Sequence, residues 1–412
     1  MERTFPMKVA LVSEHANPLA ALGGVDAGGQ NVHVAELAKA LAALNHDVTV
    51  YSRRDSATVP ETVSTDSGFS VVHVPAGPPC PIPKDDMLPY MVQFGDFLAE
   101  RWAVSRPDVA HAHFWMSGIA TRRAAERLGI PHAITFHALG EVKRRHQGAA
   151  DTSPPDRIAI ERELACGATR VIATCSDEAF ELTRMGTARS RIAVVPCGVD
   201  LGMFGPTGPV LRRPTEQQYR LVTVGRMVRR KGFATTIEAL AHIPDAELVV
   251  VGGPEAGQFS KDPEVVRLTR MAVRHGVRDR VRFVGQVSRK DMPSLLRSAD
   301  TVVCAPWYEP FGIVPLEAMA CGVPVVGSAV GGLLDTVVDG LTGRLVPPQD
   351  PLSVANAVNR LLADRPLRER FSADAQQRAL RYSWSRIADD TVRAYSRILR
   401  TAAESDAVSE SR

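Results

Sequence analysis

The sequence predicts an α/β protein of two domains, each built around a doubly wound parallel sheet. Short runs rich in Val, Ala, Ile and Leu alternate with longer amphipathic stretches along the chain, the pattern of parallel strands joined through helices. The rhythm breaks once, between Asp200 and Arg220, where Gly202, Gly205, Pro206, Gly208, Pro209 and Pro214 crowd together as in an interdomain linker. A chain of 412 residues is also long enough for two domains that each bury an ample core.

In the first half, apolar runs between polar or turn residues mark strands at Lys8–Ser13, Asp47–Ser52, Phe69–Val74, Val109–His113, His132–Thr135, Arg170–Thr174 and Ile192–Val195. A second series follows at Tyr219–Val224, Glu247–Val251, Val281–Val284, Thr301–Cys304 and Val323–Gly327. Helical spacing of apolar residues separates many of them, as at Asn31–Leu44, Arg122–Leu128, Thr235–His242 and Val265–His275. Residues 1–205 and 215–383 therefore read as two Rossmann-type domains, with a ligand cleft between them at the C-terminal ends of the strands. A last helix, Trp384–Thr401, is expected to pack back on the first domain, and the Ser/Glu-rich end is expected to be disordered.

Composition narrows the partners. With 49 basic and 46 acidic residues the formal net charge is +3, so no global field points to nucleic acid or membrane. The basic runs Lys143-Arg144-Arg145 and Arg229-Arg230-Lys231 are short and not interleaved with stacking aromatics, which disfavours nucleic acid. Peripheral membrane contact through the first run stays open beside its plainer reading as a basic cleft edge. No apolar stretch reaches the length of a membrane span. The chain runs almost directly into a strand without a signal-peptide apolar region, so a cytoplasmic protein is expected. Six scattered cysteines without a C-x-x-C pair, most of them in apolar runs, read for the most part as buried, reduced thiols rather than a structural zinc site.

The chemistry concentrates between Thr301 and Gly322. A β-branched run, a loop carrying Glu309, then Gly312 and a helix-forming run place Glu317 inside a helix. The amides of Gly312, Ile313 and Val314 are left at the N-terminus of that helix, a ready anion site. Arg226 and Lys231 follow a strand of the second domain, two cations where a doubly wound sheet opens to a ligand. In the first domain Gly28 and Gly29 end a glycine loop and allow a ligand close to the backbone at a helix N-terminus. That loop is not G-x-G-x-x-G, so a nicotinamide site is disfavoured. His137 closes a strand before a polar segment, which sets it apart from His132, His146, His242 and His275.

Four ordered motifs carry a family resemblance. They are the Gly23-to-Val32 loop, Thr135-Phe136-His137, Val224-Gly225-Arg226 with Lys231-Gly232, and Glu309-x7-Glu317 followed by Ala-Cys-Gly-Val-Pro-Val-Val. Together they resemble the retaining glycosyltransferases of family 4, which have the GT-B fold of two Rossmann-like domains facing a central cleft. The glycine loop is most similar to those of sucrose-phosphate synthases and D-inositol-3-phosphate glycosyltransferases.

The resemblance implies transfer of a hexosyl group, with retention, from a nucleoside-diphosphate sugar to a hydroxyl of a small polar acceptor. Glu317, as an ionised carboxylate, would accept hydrogen bonds from the donor ribose. Glu309 would orient the donor sugar and stabilise positive charge at its anomeric centre, and His137 would bind the sugar hydroxyls. Arg226 and Lys231 would hold the diphosphate in place of a metal, and no cofactor is implied. UDP-glucose or UDP-N-acetylglucosamine is the preferred donor, with GDP-mannose as the alternative.

On the acceptor side the resemblance places Asn31, His15, Lys84, Phe114, Lys143 and Arg157. Phe114 and Ala138 stand where the inositol-phosphate enzymes carry a tyrosine and a threonine, so two hydroxyls that would contact phosphate are missing. The acceptor is therefore expected to differ, and to lack a phosphate in one reading. A nucleotide-sugar epimerase or hydrolase of the same fold, and a non-catalytic nucleotide-sugar-binding protein, are the rival readings. A homodimer stays open.

Overall fold

In the computed structural model the described residues are 6–21, 28–213 and 216–410, with the side chains of 21, 256 and 402–410 excepted. The chain divides into two compact units, Met1–Pro196 together with Trp384–Arg412, and Cys197–Ser383.

The first unit contains β1 (Lys8–Val12), β2 (Asp47–Arg53), β3 (Thr62–Ser64), β4 (Ser70–Val74), β5 (Val109–His113), β6 (His132–Thr135), β7 (Arg170–Ala173) and β8 (Ile192–Val194). They form one sheet in the order β3-β4-β2-β1-β5-β6-β7-β8, parallel throughout except for the β3–β4 pair. Central strands are buried on both faces, β5 at every residue including His111 and His113, which is why most of them read as near-continuous apolar runs. From β1 the chain winds to one side through β2, and it returns to the other side of β1 as β5. That reversal makes the C-terminal ends of β1 and β5 the place where a doubly wound sheet opens to a ligand.

The second unit repeats the plan with β9 (Tyr219–Val224), β10 (Ala246–Val251), β11 (Val281–Gly285), β12 (Thr301–Cys304), β13 (Val325–Ser328) and β14 (Gly343–Val346). Its order is β11-β10-β9-β12-β13-β14, parallel at every pair. The winding reverses between β9 and β12, so the loops leaving those two strands adjoin. Two parallel sheets are thus present, as the alternation of the sequence predicts.

Three features differ from the sequence reading. The crossing between units lies at Pro196–Cys197, ahead of the Gly/Pro-rich stretch read as a linker. Phe204 within that stretch is buried in the second unit's core. Arg297 donates to Gly205 O and Pro209 O, and Leu211 N–H to Ser294 O, so these residues are structured parts of that unit. The last helix runs Trp384–Glu410 and takes in the Ser/Glu-rich residues assigned to disorder as far as Glu410, residues 411–412 lying outside the described residues. It packs on the Gly29–Ala43 helix of the first unit, and Tyr395 Oη meets His111 Nδ1 at 2.8 Å. Strands β3 and β14 are additional; both are short, and β3 is largely polar. No helix among the described residues is long and apolar enough to cross a membrane.

Candidate active site

In the second unit the loop after β9 carries Arg226 and Lys231, and the loop after β12 carries Glu309. Gly232 lets them meet. It sits at φ 72°, and a Cβ there would lie 1.7 Å from Ala305 O, so only glycine allows this approach of the two backbones. Lys231 Nζ donates to Glu309 Oε2, both side chains being largely buried. Phe311 N–H donates to the other oxygen of Glu309 at 3.5 Å. Gly331 clamps the loop from behind, where a Cβ would lie 2.2 Å from Glu309 O. Gly312, at φ 67°, begins the Ile313–Ala320 helix. Ile313 and Val314, half-buried, form its first turn.

The two carboxylates have opposite electrostatics. Burial pushes the Glu309 carboxyl up, but Lys231, then Arg230 and the Phe311 N–H, outweigh it and hold the group below its ordinary value. Glu317, buried in the second turn of the helix, is pushed up to about 7 by burial, with Arg289 pulling it back. Its charge is desolvated without an adjacent cation comparable to Lys231, which is why the two carboxyls move in opposite directions.

Arg226 is exposed and has no ion pair or side-chain hydrogen bond among the described residues. Desolvation of its surroundings and then Arg230 lower its pKa, against the pull of Glu309. Arg230 is half-buried. Its guanidinium lies 5.4 Å from the Tyr308 ring centroid, and Trp307 N–H donates to its carbonyl at 2.8 Å. Arg229 is exposed.

In the first unit His137 follows β6 in the left-handed region, φ 62°, and is buried. It shares a 2.9 Å hydrogen bond with His113 of β5, between Nε2 and Nδ1. His33 lies edge-on to it at 5.0 Å, and His111 lies 4.2 Å from His113. All four rings are buried, and burial holds every one below the ordinary imidazole range: His33 to about 4, His111 to about 3, His113 and His137 well below. They are neutral hydrogen-bonding groups rather than cations at neutral pH.

Phe114, after β5, gathers three of the residues expected on the acceptor side. Its own φ is 89°. Lys84 Nζ stands 4.9 Å and Arg157 Cζ 5.1 Å from the centre of its ring, and His15 packs edge-on at 4.9 Å. His15 Nδ1 donates to Glu14 Oε1 at 2.6 Å, while Ser117 Oγ donates to Glu14 Oε2. Asn31 donates to Asn17 O at 3.2 Å. Gly28 caps the helix that begins at Gly29, and its backbone is extended. The rest of the glycine loop, residues 22–27, lies outside the described residues.

The cations of this face are largely committed. Arg157 is 2 % exposed and donates to Glu161 Oε1 at 2.7 Å, Ser153 Oγ at 3.1 Å and Ala138 O at 2.5 Å. Lys143 donates to Asp151 at 2.8 Å and Ser153 Oγ at 2.8 Å. Arg145 makes a two-pronged contact with Glu181 at 2.7 and 3.0 Å. Of the Lys143-Arg144-Arg145 run, then, two charges are neutralised within the fold. Sequence reasoning missed Glu14, Glu161 and Arg230 as members of these clusters. Glu161 falls within a helical stretch and Glu14 in the short turn after β1, so nothing local marks either as a partner of these clusters. Among the described residues no group of three His, Cys, Asp or Glu side chains is placed to hold a metal ion.

Comparison with known proteins places this geometry. Residues 212–378 match the family described as Glycosyl transferases group 1, and residues 27–202 match Glycosyltransferase Family 4. The chain is 35% identical over 407 residues to the D-inositol 3-phosphate glycosyltransferase of Stackebrandtia nassauensis, covering 95% of this chain and 91% of that protein. The same-named protein of Frankia alni is 36% identical, with 94% and 99% covered. Among solved structures, a sucrose-phosphate synthase from Thermosynechococcus elongatus superposes with a TM-score of 0.85 at 30% identity, covering 96% of this chain and all of that one. Anabaena HepE, solved with UDP and glucose, shares the fold with a TM-score of 0.72 at 20% identity, over 95% and 99% of the two chains. The chain belongs to the glycosyltransferases of GT-B fold.

Proposed function

We propose that the protein is a retaining, metal-independent hexosyltransferase of family 4 that moves a hexosyl group from a nucleoside-diphosphate sugar to a hydroxyl of a small polar acceptor. The observation that carries this is the Lys231–Glu309 contact at the opening between β9 and β12, ahead of the Ile313–Ala320 helix, with Arg226 on the same loop as Lys231. Lys231 and Arg226 would face the diphosphate and stabilise charge as it leaves, where preorganised cations act most strongly. Glu309, held ionised by Lys231, would stabilise the positive anomeric centre. Glu317 would take the ribose hydroxyls, and Gly28 and Gly29 would admit the donor phosphates.

The acceptor hydroxyl would attack from the side of the leaving group and pass its proton to a donor phosphate oxygen, so that no protein base is obligatory. His137, neutral, would hydrogen-bond the donor sugar. A UDP-sugar is the preferred donor, with GDP-mannose as the alternative. The relatives at 35% identity are named for inositol 3-phosphate. For this chain an acceptor other than that phosphate is favoured, because Phe114 and Ala138 offer no side-chain hydroxyl and Arg157 is spent within the fold.

Donors screened by thermal shift, then assayed against inositol phosphate, sugar phosphates and unphosphorylated polyols, test the reading. The expected product keeps the donor's anomeric configuration by NMR, and EDTA leaves turnover unchanged. Consumption of donor to a free or epimerised sugar, equally fast with and without every acceptor, would replace it with an epimerase or hydrolase.

A further inference from the structure

We propose that Glu161, acting through Arg157, is a positioning residue that fixes the main chain carrying His137. The inference rests on the reading of His137 as a sugar-binding residue.

His137 holds a left-handed backbone conformation that a residue with a side chain adopts only when its surroundings impose it. The imposing contacts lie on the chain just after it. Arg157 Nη2 donates to Ala138 O at 2.5 Å, and Gly140 N–H donates to Glu161 Oε2 at 2.7 Å. Arg157 Nε and Glu161 Oε1 close the bracket at 2.7 Å. One carbonyl and one amide of a three-residue segment are thus gripped by two side chains of the Arg157–Gly167 helix, one turn apart. Gly140 leaves no slack, since a Cβ there would come within 3.0 Å of Arg157 Nε.

Both side chains are buried, Glu161 completely. A buried ion pair adds little net stability over apolar residues of the same size, so what it holds in place is the better account of it. No apolar pair could satisfy Ala138 O and Gly140 N–H together. Arg157 on this reading serves the loop and not an anionic group of the acceptor.

The test uses the full chain with its best donor. Glu161→Gln keeps the size and one hydrogen bond but removes the charge that orders Arg157. Its kcat is expected to fall about tenfold or more, with donor KM changing far less. The loss should nearly vanish when Glu161→Gln is placed on His137→Ala, because a residue acting through another is non-additive with it. Gly140→Ala, which pushes on Arg157 without removing a charge, should copy the pattern. The same fractional loss for phosphorylated and neutral acceptors is also expected.

An unchanged kcat in folded Glu161→Gln, a full loss persisting on His137→Ala, or a His137→Ala variant as active as wild type would each overturn the proposal. Amide hydrogen exchange at Gly140 gives a readout free of activity. It should be protected in wild type and faster in Glu161→Ala, which leaves that amide no side-chain acceptor, and equal protection would also sink the clamp. A wild-type chain that turns over no donor would instead count against the proposed function, with Gly140 exchange still deciding the clamp.

Discussion

Lys231 reaches Glu309 across two loops that leave neighbouring strands of the second sheet, and the contact exists because Gly232 brings one backbone against Ala305 of the other. One cation is thereby shared between two prospective tasks. It keeps Glu309 ionised, and it stands ready for the diphosphate of a donor. Replacing Lys231 with Met should lower kcat about a hundredfold or more. It should also lower the melting temperature, since a largely buried carboxylate loses its partner. Adding Glu309→Gln should restore most of the melting temperature but none of the turnover, which calorimetry and initial rates will separate.

Gly232→Ala is the steric counterpart. The added methyl meets a carbonyl oxygen at 1.7 Å in a conformation with positive φ, so the loops must part. A stability loss of about 2 kcal/mol or more is expected, measured by denaturant unfolding. Turnover should fall although no charged group has been touched. Wild-type rates in this variant would show that the close approach is dispensable.

Glu317 titrates near 7 because burial penalises its charge. If ribose hydroxyls donate to it, the ionised form accepts them better, and donor affinity should rise with pH until it levels off above about 7. Isothermal titration from pH 6 to 8 should show about a several-fold gain, flattened in Glu317→Gln. A pH-independent affinity in wild type would remove Glu317 from the ribose site.

The buried histidines make an acid-sensitivity prediction. Their folded values lie below the ordinary 6.5, at about 4 for His33 and about 3 for His111. The unfolded chain therefore binds more protons between about pH 4 and 6.5, and stability should rise with pH across that window. It is fully present above about 6.5 and is lost as the pH falls toward 4. Urea midpoints from pH 4.5 to 7.5 should show this slope, and His33→Gln should reduce it. A slope unchanged in that variant would mean His33 is not among the groups responsible.

Much of the architecture was legible because a strand buried on both faces must be largely apolar, as Val9–Val12 of β1 and Val302–Cys304 of β12 are. The short strands β3 and β14 carry no such run. At the site, Glu309, Glu317, Arg226, Lys231 and His137 stood out through their place after a strand or at a helix start. Glu161 and Glu14 did not, since each matters only through a partner brought near by folding.

The sequence alone determined the two parallel sheets and the strand ends on which the charged groups sit, because burial of both faces dictates apolar runs and the winding fixes where loops emerge. Tertiary structure decided the charge states and commitments. Lys231 holds Glu309 ionised while Glu317, desolvated without such a neighbour, hovers near neutrality. Arg157, which the sequence could assign only as an available cation, is bound to Glu161 and to the loop of His137. Those outcomes depend on distances of a few ångströms between residues far apart in the chain, and electrostatic and hydrogen-bond energies are set at that range.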